Sequence, residues 1–209
     1  MDEPTVYCEW LNGALHQPIN TFSNIVFILV AVLLYRKIKQ SDTKSWLITL
    51  LPFSILFMGI SSGLWHYEAS VAGDILDTLS IAIFAVLLSF IIISRLCSAW
   101  GARIAVVTGI TIVALYLEQL PYLNGSLVYL FLFTVLGLSL YTLSVRSRAN
   151  LLPVIAAVLL LLISFLARVA DIHMCSSLEI GTHFVWHITI AFAVYYSVIS
   201  LLATQEENR

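Results

Sequence analysis

The chain has 209 residues, of which 60% are hydrophobic and only 11% charged, an apolar share well above that of soluble globular domains. Ten Lys and Arg stand against twelve Asp and Glu, which excludes the basic excess that draws a protein to nucleic acid. Three cysteines are too few for a disulfide framework or a four-thiolate zinc site, and they allow one bridge at most.

Seven apolar stretches follow one another, at roughly 20–37, 46–66, 74–94, 103–120, 126–145, 151–170 and 181–203. Each is long enough to cross a bilayer as a helix. The runs are continuous over about 18 or more residues, whereas barrel strands alternate over about 10, so the expected fold is an all-α bundle of seven transmembrane helices. Short loops without a Gly/Ser linker or a repeat predict a single domain over 1–209. Residues 1–19 hold Asp2, Glu3 and Glu9 but no Lys, Arg or apolar core. That is unlike a signal peptide, so the first helix is expected to insert itself.

Orientation follows from the basic residues, which stay on the cytoplasmic side. Arg36, Lys37, Lys39 and Lys44 lie between stretches 1 and 2, Arg95 and Arg103 between 3 and 4, Arg146 and Arg148 between 5 and 6, and Arg209 ends the chain. Only Arg168 falls on the other side. The N-terminus is therefore expected outside and the C-terminus in the cytoplasm, in the inner membrane of a prokaryote or an ER/Golgi-type membrane of a eukaryote.

Ionisable side chains at membrane depth are functional candidates by default, because each costs several kcal/mol unless paired, hydrated or metal-bound. The second stretch ends Gly59-Ile-Ser-Ser-Gly-Leu-Trp-His66, with Ser62 and His66 one turn apart on one helix face. The third opens Gly73-Asp-Ile-Leu-Asp77. The seventh opens Gly181-Thr-His-Phe-Val-Trp-His187, where His183 and His187 have the i, i+4 spacing at which two imidazoles bind one metal ion. All fall toward the outer ends of their helices.

Three imidazoles with an open fourth position form the ligand set of a hydrolytic zinc site, and His66, His183 and His187 meet that description. Asp77, one turn inside the helix from Asp74, is the first choice of base for the attacking water. Ser62, on the turn before His66, is placed to donate to an oxyanion. Each residue has a plainer use: a histidine near a helix end as an interfacial or core group, a membrane serine bonding its own helix, an aspartate favoured by the helix dipole. The coincidence of all five on one side of the membrane carries the reading.

Ser-x-x-x-His, an Asp eleven residues later and a His-x-x-x-His in the seventh helix resemble the alkaline ceramidase family and, more widely, the seven-helix membrane hydrolases that include the adiponectin and progestin receptors. The resemblance extends to Tyr7-Cys-Glu9, Pro18-Ile-Asn-Thr-Phe-Ser-Asn24, Asn124-Gly-Ser126 and the run at 181–187, and it looks most like the compact prokaryotic branch. It implies one zinc ion on His66, His183 and His187, with Asp77 and Ser62 beside it, and cleavage of the amide of an N-acyl sphingoid lipid. No protein partner is implied.

The chain departs from the family's calcium-binding pattern near the N-terminus. It has Gln17 where a carboxylate stands and keeps only Glu9 of the acidic set; an amide oxygen is a weaker ligand for a hard dication, which puts calcium in doubt. Cys8 and Cys175 fall on the outer, oxidising side and are expected to form a disulfide over the site mouth, as the resemblance also suggests, while Cys97 faces the cytoplasm as a free thiol. Asn20, Ser23 and Asn24 open the first helix and are expected to cap it or bond to neighbours, with a supporting role at the metal site implied by the family pattern. Arg168 and Asp171 are spaced to pair, and Asn124-Gly-Ser126 is an outward glycosylation sequon, meaningful only in a eukaryote. Two other readings are a receptor-like protein that keeps zinc for structure, and a membrane haem protein with His66 and one helix-7 histidine as axial ligands.

Overall fold

A computed structural model describes residues 7–11, 16–41, 43, 45–98, 100–101, 104–106, 108–109 and 126–206. Hydrocarbon cannot hydrogen-bond a backbone, so a spanning segment must satisfy its own amides, and the apolar stretches do so as helices: α1 Cys8–Leu11, α2 Pro18–Ser23, α3 Ile25–Gln40, α4 Trp46–Glu68, α5 Val71–Leu96, α6 Leu127–Arg146, α7 Leu152–Met174 and α8 His183–Glu206. There is no strand among the described residues. Among the described residues, six helical units are long and apolar enough to cross a membrane, with α2 and α3 acting together over Pro18–Gln40. The expected fourth span, 103–120, lies mostly outside the described residues; within it, 104–106 and 108–109 are helical. Large apolar side chains such as Phe22, Leu29, Leu138 and Leu166 are exposed on the outer faces, as expected of a protein whose solvent at this depth is lipid.

The interior is built where α7 packs on α8, α4 on α5 and α3, and α3 on α8. Leu34, Leu51, Ile55, Leu88, Leu140 and Leu201 are fully buried between them. Gly59 lets α4 approach α3: a Cβ there would come within 2.7 Å of Phe27 Cβ, the use of a small residue at a membrane helix interface.

Three local features gather polar residues at one end of this bundle. First, α4 stops at Ala69, in the left-handed region at φ 47°, and Ser70 caps α5 by accepting the Gly73 N–H at 3.1 Å. That tight reversal returns the chain so that His66 and Asp77 share an end. Second, the first span is not the continuous helix expected from the sequence. It breaks at Asn24 because the Asn20 carbonyl accepts the Ser23 hydroxyl (2.9 Å) and the Asn24 side-chain amide (2.8 Å), while the Asn24 N–H bonds Thr21 instead, a side-chain intrusion into the helical ladder. Third, α8 begins at His183, whose N–H and that of Thr182 both bond Asp171 Oδ1, at 2.8 and 2.6 Å. The opposite end holds Arg36, Lys37, Lys39, Arg95 and Arg146 at the far termini of α3, α5 and α6, and Arg146 donates to the Leu96 carbonyl at 3.1 Å.

The N-terminal segment folds over the polar end. Cys8 is disulfide-bonded to Cys175, as the sequence predicted, and its N–H donates to Asp171 Oδ2 at 3.0 Å. Cys97 is a free, exposed thiol.

Candidate metal centre

His66 closes α4, and His183 and His187 open α8, so the i, i+4 spacing sends the two α8 rings to one side, opposite His66. All three are buried. Their ring centroids are 4.6 to 5.0 Å apart, and one nitrogen from each falls within 4.8 Å of those of the other two.

Two of the rings have a fixed orientation. His66 Nδ1 lies 3.0 Å from Gln17 Oε1; an amide oxygen only accepts, so Nδ1 carries the proton and the lone pair resides on Nε2. His187 Nδ1 lies 2.6 Å from Ser23 Oγ, and the Ser23 proton is already directed to the Asn20 carbonyl, so this imidazole also donates through Nδ1 and presents Nε2. Such outer hydrogen bonds orient metal-ligating histidines. His183 Nδ1 is buried without a hydrogen-bond partner, and its ring stacks on Tyr7 at 3.6 Å between centroids, 20° from parallel. Three imidazoles, each offering one nitrogen within 4.8 Å of the other two, are a donor set that could hold a divalent ion such as zinc.

Ser62, one turn before His66, has its hydroxyl beside the Asp77 carboxylate, and Asp77 Oδ1 is buried with no hydrogen-bond partner. Asp77 also lines a cavity of about 630 Å³ that runs along α5, within the size range of small-molecule sites. Ser62 lies one turn from His66 on α4, and Asp77 near the start of α5, so serine and aspartate sit toward the same end of the bundle as the histidine triad.

The Ceramidase family model matches residues 15–209 of this sequence. The chain belongs to the ceramidase family. No curated protein and no solved structure matches it.

Several residues of this ceramidase-family site were not marked by the sequence pattern. Gln17 appeared only as a departure from a calcium-binding pattern, yet it holds His66. The backbone at His16 and Gln17, with φ of 69° and 34°, is in the left-handed region sparsely used by residues other than glycine. Glu9 caps this turn: its two carboxylate oxygens accept the N–H groups of Ile19 (2.7 Å) and Asn20 (2.9 Å). Of the three supporting candidates, Ser23 reaches a histidine, Asn20 donates from Nδ2 to Gln17 Oε1 at 3.2 Å, and Asn24 bonds the Asn20 carbonyl.

Arg168 does not pair with Asp171 as their spacing suggested. Asp171 accepts from the backbone N–H groups of Cys8, Thr182 and His183. Arg168 turns to Tyr7, donating to its hydroxyl oxygen at 2.5 Å, with its guanidinium 5.5, 4.9 and 5.3 Å from the ring centroids of Tyr7, Tyr129 and Trp186. Burial pushes the Tyr7 hydroxyl above the usual phenol range, against the opposing pull of Arg168, so the phenol stays protonated. The sequon at Asn124 lies outside the described residues except for Ser126, which is buried.

Proposed function

We propose that this membrane protein is a zinc-dependent intramembrane hydrolase that cleaves the amide of a ceramide-like N-acyl lipid. One zinc ion would be held by His66, His183 and His187. The observation that carries the reading is the convergence of three buried imidazole nitrogens, two of them oriented by Gln17 and Ser23. A bound zinc ion with an open position polarises a carbonyl and lowers the pKa of water to about 7.

The protein's own residues supply the rest. Asp77, which lines the cavity and whose Oδ1 has no hydrogen-bond partner, takes the proton of the attacking water and returns it to the leaving amine. Ser62, beside the Asp77 carboxylate, is placed to orient it. The oxyanion-donor role expected from its position requires the hydroxyl to rotate away from Asp77 during the reaction. The apolar cavity wall, with Ile81, Ala85, Val86, Leu132 and Val135, excludes water and accepts a lipid chain. Glu9 and Gln17 act as a cap and a histidine support in this reading, not as calcium ligands. With the site end facing outward, substrate enters from the outer leaflet.

The test is metal analysis of the purified protein beside turnover of a panel of N-acyl lipids with and without chelator. About one zinc per chain is expected, with activity lost on chelation and restored by zinc. A metal-free preparation at full activity overturns the proposal.

A further inference from the structure

Of the three histidines, His183 differs in its surroundings: Gln17 meets Nδ1 of His66 and Ser23 meets Nδ1 of His187, whereas Nδ1 of His183 has no partner. Outer hydrogen bonds fix the rotation of a ligating imidazole, so this ring needs another constraint. Its face lies against Tyr7, 3.6 Å between centroids and 20° from parallel. Rotation about the Cβ–Cγ bond would drive an edge of the imidazole into the phenol. The rings of His66 and His187 stand on its other sides, at 5.0 and 4.6 Å.

Tyr7 is itself fixed at several points. Its hydroxyl oxygen accepts from Arg168 at 2.5 Å, and Trp65 meets its ring edge-on, 5.6 Å away at 85°. The next residue, Cys8, is bonded to Cys175 and donates its N–H to Asp171 Oδ2 at 3.0 Å. The other oxygen of that carboxylate accepts the N–H of His183 at 2.8 Å. One aspartate thus sets the backbones of both stacking partners side by side, while the guanidinium holds the far end of the phenol. Arg168 is in turn packed against Tyr129 and Trp186 and faces the Asp77 carboxylate.

We propose that Tyr7 is a positioning residue of the metal centre: its aromatic face does for His183 what Gln17 and Ser23 do for His66 and His187, and Arg168 anchors it through the hydroxyl. The proposal rests on the three histidines holding an ion, as in the hydrolase reading. Each ligand then has one support, and all three supports precede α3 in the chain.

The test loads Co2+, a coloured substitute for Zn2+, into the full chain in detergent. It reads affinity by chelator competition and also the visible absorption, which follows ligand geometry. Tyr7→Leu is expected to weaken binding about tenfold, within the range for outer partners of ligating histidines, and to shift the absorption of the ion that still binds. A loss of stability alone would lower affinity and leave that spectrum unchanged. Tyr7→Phe keeps the face but loses the grip of Arg168, and should fall between wild type and Tyr7→Leu in both readouts. Retention of the Cys8–Cys175 bridge on a non-reducing gel checks the fold, and Tyr7→Met, a more adaptable filler, replaces Tyr7→Leu if that variant loses it. Wild-type affinity and spectrum in the folded non-aromatic variant overturn the proposal. Equal losses in Tyr7→Phe do so as well, because they assign the effect to the hydroxyl. A wild-type protein that binds neither Co2+ nor Zn2+ overturns the metal-centre reading, and this proposal with it.

Discussion

The Ser23 hydroxyl oxygen lies 2.6 Å from Nδ1 of His187, joining the break in the first membrane helix to the second turn of the last. Gln17 does the same for His66 at 3.0 Å. The site's precision therefore depends on a short stretch of chain that provides no metal ligand.

Removing these acceptors should loosen the ion without touching a ligand. Ser23→Ala and Gln17→Leu are each expected to lower zinc affinity about 10- to 100-fold, read by chelator competition against metal content. Gln17→Glu, which keeps an acceptor oxygen, should lose less than Gln17→Leu. Wild-type affinity in both truncated variants would show that the ring orientations do not matter.

Ligand and base should separate experimentally. His183→Ala is expected to lose bound metal and turnover together. Asp77→Asn should retain the metal while turnover drops about 10²- to 10⁴-fold, the usual contribution of a positioned acid or base. Full turnover in either variant removes that residue from the mechanism.

Asp171 is expected to behave as a structural keystone. Asp171→Ala leaves the buried N–H groups of Cys8 and His183, and that of Thr182, without their acceptor, at about 1–3 kcal/mol for each buried group. Gly181→Ala attacks the same corner, since residue 181 has φ 63° and a Cβ there would collide with Asp171 Oδ1 and lie 2.7 Å from Cys8 Cβ. Both should lower the unfolding temperature in detergent; a wild-type melting curve for both would argue against this role.

The disulfide closes a loop with a sequence separation of 167. Its loss in Cys175→Ala should lower stability by about 2–4 kcal/mol and release the segment carrying Tyr7. Under denaturing conditions without reductant, alkylation should label Cys97 alone, and after reduction all three thiols. Three labelled thiols before reduction would exclude the bridge.

The helices and the histidine triad were legible in the sequence because both are written in local spacing: long apolar runs for α3 to α8, and i, i+4 pairs for Ser62 with His66 and His183 with His187. The cysteine pairing was legible from topology. Less legible was whatever depends on contacts far apart in the chain. Arg168 and Asp171 looked like partners at three residues' distance, but Asp171 meets Cys8 across 163 positions and Arg168 meets Tyr7 across 161. Gln17 read as a lost carboxylate because no local pattern shows that its side chain ends at a histidine 49 residues away. Likewise the break at Asn24 comes from two side chains competing for one carbonyl, which hydrophobicity does not encode.

The three imidazoles come from α4 and α8, the second and last of the described membrane-crossing units. A growing polypeptide therefore has the His66 ring in the bilayer long before its two counterparts leave the ribosome. An ion gripped by all three can be acquired only after synthesis is nearly finished and α8 has docked, so a chain stalled or truncated before residue 187 would be an inserted but inert protein.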